Sequence, residues 1–222
     1  MFLDVDGVLA PIVPRPEDAR VPDETREELR RLNGRYALVG CISGRAGADA
    51  QRIVGVPGLV YVGNHGLQLD VEAASWGERL HQFLAEVAWP ATENKQLTAS
   101  LHYRGSQDEG AARAALEDVK ARAEREGFVA RFGRKVLEVL PPLDVNKGTA
   151  VRRLLAERAL SRALYAGDDT TDLDAFRGLR EAGLELAVCV AVASDEGPPE
   201  LRAQADLVVD GPAGVVELLH QL

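Results

Sequence analysis

Three short apolar runs in this chain each end in a turn crowded with oxygen-bearing side chains, and helix-like segments separate them. Phe2-Leu3 runs into Asp4-Val5-Asp6-Gly7. Ala37 to Ile42 runs into Ser43-Gly44-Arg45. Ala163 to Ala166 runs into Gly167-Asp168-Asp169-Thr170-Thr171-Asp172. Near-continuous apolar runs of this length suit strands buried on both faces. Their alternation with helices specifies an α/β fold with a mostly parallel, doubly wound sheet. In such sheets ligands bind beyond the carboxyl ends of the strands, where these polar turns fall.

The remaining pattern fills in the sheet. Helices are expected over Asp23 to Leu32 behind Pro22, Gly47 to Val54, Lys147 to Arg158, Asp172 to Glu181 and Pro212 to Leu222. Further strands are expected over Leu59 to Val62, Leu186 to Val192 and Leu207 to Val209. Only three residues precede Asp4, against ~5–6 in an ordinary strand, so the first strand should be very short. From about residue 70 the pattern changes. A helix over Trp76 to Ala88 is followed by an alternating strand, Leu97 to Tyr103, and a charged helix, Asp108 to Glu126. A hairpin of Phe128 to Phe132 and Lys135 to Val139 should turn at Gly133-Arg134. Residues 70–142 therefore read as a small α+β domain inserted into a core of 1–69 and 143–222. Pro141-Pro142 marks the return.

Composition excludes several functions. The formal net charge of −9 over 222 residues disfavours nucleic acid and anionic membranes as partners. No apolar run approaches the ~18 residues of a membrane span, and no signal peptide is expected ahead of the first motif. A cytoplasmic, monomeric protein is the default expectation. Cys41 and Cys189 sit in apolar runs and read as buried thiols, with no CxxC pair for zinc. His65, His81, His102 and His220 have no ligand spacing, and neither HExxH, GxSxG nor GxxxxGK[ST] occurs.

The acidic turns are different. Asp4 and Asp6, two apart on a chain leaving a strand, can both face the crevice, and Gly7 lets the backbone turn sharply. Asp168, Asp169 and Asp172 at a second strand end repel one another unless a cation neutralises them. An all-oxygen set of this kind suits a hard cation such as Mg²⁺. Either cluster alone also fits helix capping; two on one sheet point to chemistry. Ser43-Gly44-Arg45 and Asn146-Lys147-Gly148 add the anion donors that phosphoryl transfer needs. Glu93-Asn94-Lys95 and His102-Tyr103-Arg104 are dense in hydrogen-bonding groups, as recognition of a sugar would require.

In this order, Asp-x-Asp-Gly, Ser-Gly-Arg, Lys and Gly-Asp-Asp-x-Thr-Asp resemble the haloacid dehalogenase superfamily of phosphohydrolases. Together with Gly63-Asn64-His65-Gly66, Lys135-Val136-Leu137-Glu138 and Leu173-Asp174-Ala175-Phe176, the chain resembles the trehalose-6-phosphate phosphatase family over nearly its whole length. The resemblance implies a Rossmann-like core with a mobile cap inserted between the second and third motifs. It also implies hydrolysis of trehalose 6-phosphate in trehalose biosynthesis. Asp4 would be the nucleophile and Asp6 the general acid and then base. Asp4, the Asp6 backbone carbonyl and Asp168 would ligate Mg²⁺, supported by Asp169 and Asp172. Ser43 and Lys147 would hold phosphate. Glu93, Lys95, Arg104 and Glu138 would read sugar hydroxyls from the cap, with Arg45, Asn64 and His65 facing them from the core. Val8 stands where many relatives carry Thr. Alternatives left open are a phosphatase for sucrose phosphate or mannosyl phosphoglycerate, a phosphomutase, and a non-catalytic sugar-phosphate sensor.

Overall fold

The structure, a computed structural model, describes every residue except Pro14, Arg134, Asp195 and Glu196. In chain order the elements begin with β1 (Phe2–Leu3), α1 (Asp23–Asn33), β2 (Gly40–Ile42), α2 (Gly47–Val54) and β3 (Val60–Val62). Next come α3 (Ala73–Val87), β4 (Thr92–Asn94), β5 (Ala99–His102), α4 (Glu109–Arg125), β6 (Val129–Gly133) and β7 (Val136–Leu140). The chain closes with α5 (Lys147–Glu157), β8 (Arg162–Gly167), α6 (Thr170–Glu181), β9 (Leu186–Ala193), α7 (Pro199–Gln204), β10 (Leu207–Asp210) and α8 (Gly211–Gln221). They divide into two compact units, Met1–Gly66 with Val145–Leu222, and Leu67–Asp144.

The first unit holds a six-stranded parallel sheet in the order β10-β9-β8-β1-β2-β3. From β1 the chain winds outward to β2 and β3; from β8 it winds the other way to β9 and β10. The order therefore reverses between β1 and β8, which makes the carboxyl ends of these two strands the natural ligand crevice. On one face Leu3, Cys41, Ala166 and Val190 pack with Leu29 and Leu32 of α1, Ile53 of α2 and Leu219 of α8. Fully burying each large aliphatic side chain contributes roughly 1.5–3 kcal/mol. Cys41 and Cys189 are both buried free thiols. Among the described residues, no helix is long and apolar enough to cross a membrane.

The two helices that follow the turns at Asn146 and Asp168 begin on side-chain caps. Asn146 and Thr149 form a capping box at α5. Asp169 and Asp172 form one at α6, so that helix starts at Thr170 and Asp172 lies inside its first turn rather than ahead of it.

The second unit is an antiparallel sheet, β4-β5-β7-β6. Leu80 and Phe83 of α3 and Leu116 and Ala123 of α4 pack on Ala99, Leu101, Leu137 and Val139. The strand β5 is shorter than the Leu97–Tyr103 run. Thr92–Asn94 forms an edge strand that no apolar pattern announced. Of the expected hairpin turn, Gly133 ends β6 and Arg134 lies outside the described residues.

Candidate active site

Asp4 leaves β1 still paired to its neighbour, its backbone N–H donating to the carbonyl of Ala166 on β8 at 3.0 Å. That bond sets Asp4 beside the chain that delivers Asp168. Gly7 makes the approach possible. Its φ is +73°, and a Cβ there would lie 2.0 Å from Oδ2 of Asp168, so no larger residue fits.

Lys147, the first residue of α5, is 1% exposed. Its ammonium donates to Asp4 Oδ2 at 2.6 Å and Asp172 Oδ1 at 2.7 Å. Burial pulls its pKa down, but Asp172 and Asp4 outweigh burial and leave it above its ordinary value. Asp172 is saturated by protein donors. Oδ1 also accepts from the hydroxyl of Tyr165 at 2.7 Å, and Oδ2 accepts the N–H groups of Asp168 and Asp169 at 2.9 and 3.0 Å. Tyr165 escaped sequence reading because an inward aromatic on a core strand looks like packing alone. Asp169 serves as the cap of α6, accepting from the N–H of Thr170 at 2.6 Å.

Among the described residues, Asp4, Asp168 and Asp172 bring carboxylate oxygens within 4.8 Å of one another. One lysine faces three carboxylates. Burial raises the Asp4 carboxyl above its ordinary range despite Lys147. Burial, then the proximity of Asp4 and Asp172, push Asp168 up to about 8. No described group donates to the Asp168 carboxylate. A buried, undonated carboxylate with excess negative charge around it fits a hard divalent cation such as Mg²⁺. Asp4 and Asp168 would hold it, and Asp172, its oxygens already occupied, would hold Lys147 and the Asp168 backbone in place.

The next strand adds the polar turn after β2. Ser43 is buried, and its Oγ accepts the N–H of Arg45 at 3.2 Å. The loop after β3 is tied to this turn: Asn64 N–H donates to Arg45 O at 2.8 Å and His65 N–H to Ser43 O at 2.9 Å. Asn64 and His65 both take left-handed backbone, φ 52° and 54°, a strained arrangement that these bonds sustain. The His65 ring lies against Gly44, where a Cβ would come 2.6 Å from Cε1. The Asp6 carboxylate is not part of the three-carboxylate cluster; it forms a two-bond pair with Arg45, at 2.7 Å for each bond.

In the second unit, sheet register lines up Glu93, Ser100, Glu138 and Arg131 on the face opposite α3 and α4. Lys95 donates to Ser100 Oγ at 3.2 Å and lies 3.5 Å from Glu93, as does His102. Arg131 donates to Glu138 at 2.9 Å. Three of the four expected sugar readers in this unit therefore share one polar row. Arg104 does not; it sits in the turn after β5. Arg131 was missed because its partner becomes evident only once the β6–β7 register is known.

The raised Asp168 carboxyl makes a stability prediction. In metal-free protein it holds a proton that unfolding releases, since the unfolded value is 3.8. Its stabilising contribution is therefore full below pH ~4 and is lost as pH rises towards about 8. In EDTA, the melting temperature of wild type should fall more steeply across this window than that of Asp168→Asn, and Mg²⁺ should remove the difference. Parallel curves in EDTA would show that Asp168 is already ionised without a cation.

The profile of the family described as Trehalose-phosphatase matches residues 2–212. A trehalose-phosphate phosphatase of Mycobacterium avium (strain 104) is 31% identical, covering 100% of this chain and 61% of that protein. A probable trehalose-phosphate phosphatase D of Arabidopsis thaliana is 29% identical, covering 100% of this chain and 66% of its own length. The chain thus spans somewhat under two thirds of these relatives. A solved trehalose-6-phosphate phosphatase related protein matches 99% of this chain and 95% of its own, with a TM-score of 0.75 at 22% identity; that likeness speaks to the fold. With the profile running from β1 through the start of α8, the chain belongs to the trehalose-phosphatase family.

Proposed function

We propose that this protein hydrolyses trehalose 6-phosphate to trehalose and phosphate, with Asp4 as a covalent nucleophile. The observation that carries this reading is Asp4 itself. It is a buried carboxylate at the sheet's switch point, bonded to a buried lysine and adjacent to Asp168, a carboxylate to which no described group donates. Asp4 would attack phosphorus and form an aspartyl phosphate while the sugar oxygen leaves with a proton from Asp6. Asp6 would then take a proton from water as that water attacks phosphorus, releasing phosphate and freeing Asp4. Lys147 and Ser43 would hold phosphate oxygens. Bound Mg²⁺ would supply charge neutralisation that lets an anionic nucleophile approach an anionic ester. Glu93, Lys95 and Glu138 offer paired donors and acceptors for sugar hydroxyls.

The test is phosphate release from a panel of sugar phosphates, each with Mg²⁺ and with EDTA. Trehalose 6-phosphate should lead the panel and EDTA should silence it. A Mg²⁺-dependent preference for sucrose phosphate or mannosyl phosphoglycerate would keep the chemistry and overturn the sugar assignment. Saturable binding without phosphate release would overturn the enzyme reading.

A further inference from the structure

Arg45 is committed to protein partners more fully than a ligand-reading arginine could be. A guanidinium has five N–H donors. Nε and Nη2 donate to the two oxygens of Asp6 at 2.7 Å each, and Nη1 donates to Asp49 Oδ2 and the carbonyl of Pro16 at 3.0 Å each. Four of the five are therefore spent, and the side chain is only 12% exposed. Asp49 lies four residues along, in the first turn of α2. Its other oxygen is gripped by Arg52 at 2.6 and 3.1 Å. The Pro16 carbonyl belongs to a 3-10 turn over Pro16–Asp18. The guanidinium is thus clamped from two separate segments, and its remaining edge meets Asp6 in a parallel two-bond fork, which fixes both the plane and the direction of the carboxylate.

We infer that Arg45 and Asp49 are positioning residues for Asp6. Asp49 and the Pro16 carbonyl orient Arg45, and Arg45 orients the carboxylate that exchanges protons with the leaving group and water. The fork occupies two of the four lone-pair sites of Asp6. The other two face away from Arg45 and remain for proton transfer. Arg45 accordingly departs from the sugar-reading role that its motif suggested. The inference rests on Asp6 acting as the acid in the reading above.

Leaving-group dependence tests it. The ratio kcat/KM reports only steps up to the first irreversible one, here departure of the leaving group. A sugar alkoxide needs a proton to leave, whereas 4-nitrophenolate does not. In Asp49→Asn, kcat/KM for trehalose 6-phosphate should fall by about 10²-fold, since a misplacement of about 1 Å costs that much. For 4-nitrophenyl phosphate it should stay within about 2-fold, which also reports intact, folded sites. Arg45→Lys, which loses the fork, should show the same split. Asp6→Asn is the reference. If Asp6→Asn splits the two substrates and Asp49→Asn and Arg45→Lys do not, the positioning assignment is wrong while the acid role stands. An equal loss on both substrates would reduce the clamp to a structural contact. Absence of any split in Asp6→Asn would overturn the acid role and, with it, this inference.

Discussion

Asp4→Asn should release phosphate from trehalose 6-phosphate at least roughly 10⁴-fold more slowly than wild type, and should melt no lower. The first half follows if Asp4 is the proposed nucleophile: an amide cannot form the acyl phosphate, so hydrolysis loses its two-step route. The second half follows from electrostatics. Asp4, Asp168 and Asp172 crowd three carboxylates around one ammonium, and burial already raises Asp4 above its ordinary range. A neutral isostere removes one of the repelling charges and keeps a carbonyl for Lys147 to donate to. Catalytic sites that store such repulsion gain stability when it is relieved. Near-normal turnover in this variant would sink the covalent reading, and a large loss of melting temperature would contradict the charge argument.

Lys147→Met should do the opposite to stability. Methionine fills a similar volume but leaves Asp4 and Asp172 buried without their cation. Breaking a buried pair in this way costs about 3–5 kcal/mol. For a chain of this size that corresponds to about 6–20 °C in Tm. Tyr165 and two backbone N–H groups still hold Asp172, so the fold should survive at low temperature. Turnover should fall as well, because the phosphate and Asp4 lose their fixed positive charge. Chemical denaturation gives the stability change directly. A loss below about 1 kcal/mol would place Lys147 among ordinary solvent-screened pairs and remove the premise of the site's charge balance.

These two residues were legible before any fold was known, and the reason is physical. Asp4 follows the apolar run Phe2-Leu3 and Lys147 opens α5, so both lie at element ends, where a parallel sheet places its ligand groups. The elements of the first unit were legible on the same ground: α2 falls on Gly47–Val54, and the expected helices and strands after Asp144 differ by a residue or two at their ends, while the short helix α7, Pro199–Gln204, was not expected. What escaped was pairing across distance. Thr92–Asn94 has no apolar signature, because an edge strand is held by register rather than by burial of its side chains. Tyr165 reads as core until its hydroxyl is seen on Asp172. Asp49 reads as an ordinary acid in a first helical turn until Arg45 is seen to bridge it to Asp6. Arg104 shows the converse. A polar cluster in sequence, His102-Tyr103-Arg104, splits at the end of a strand: His102 lies beside Glu93, Tyr103 packs into the apolar core of its unit, and Arg104 falls in the turn.

The interior position of β1 has a consequence for synthesis. Phe2 pairs on one side with Gly40 and on the other with Tyr165. On a ribosome adding about 5–20 residues per second, roughly 10–30 s separate the making of β1 from that of β8. During that interval Asp4 has neither Lys147 nor Asp172, and the strand carrying it has one open flank. The nascent chain must therefore keep a short apolar strand and an acidic turn solvated, or shielded, until the far half arrives. Activity can appear only after both flanks of β1 are closed, so its onset would time the completion of the sheet.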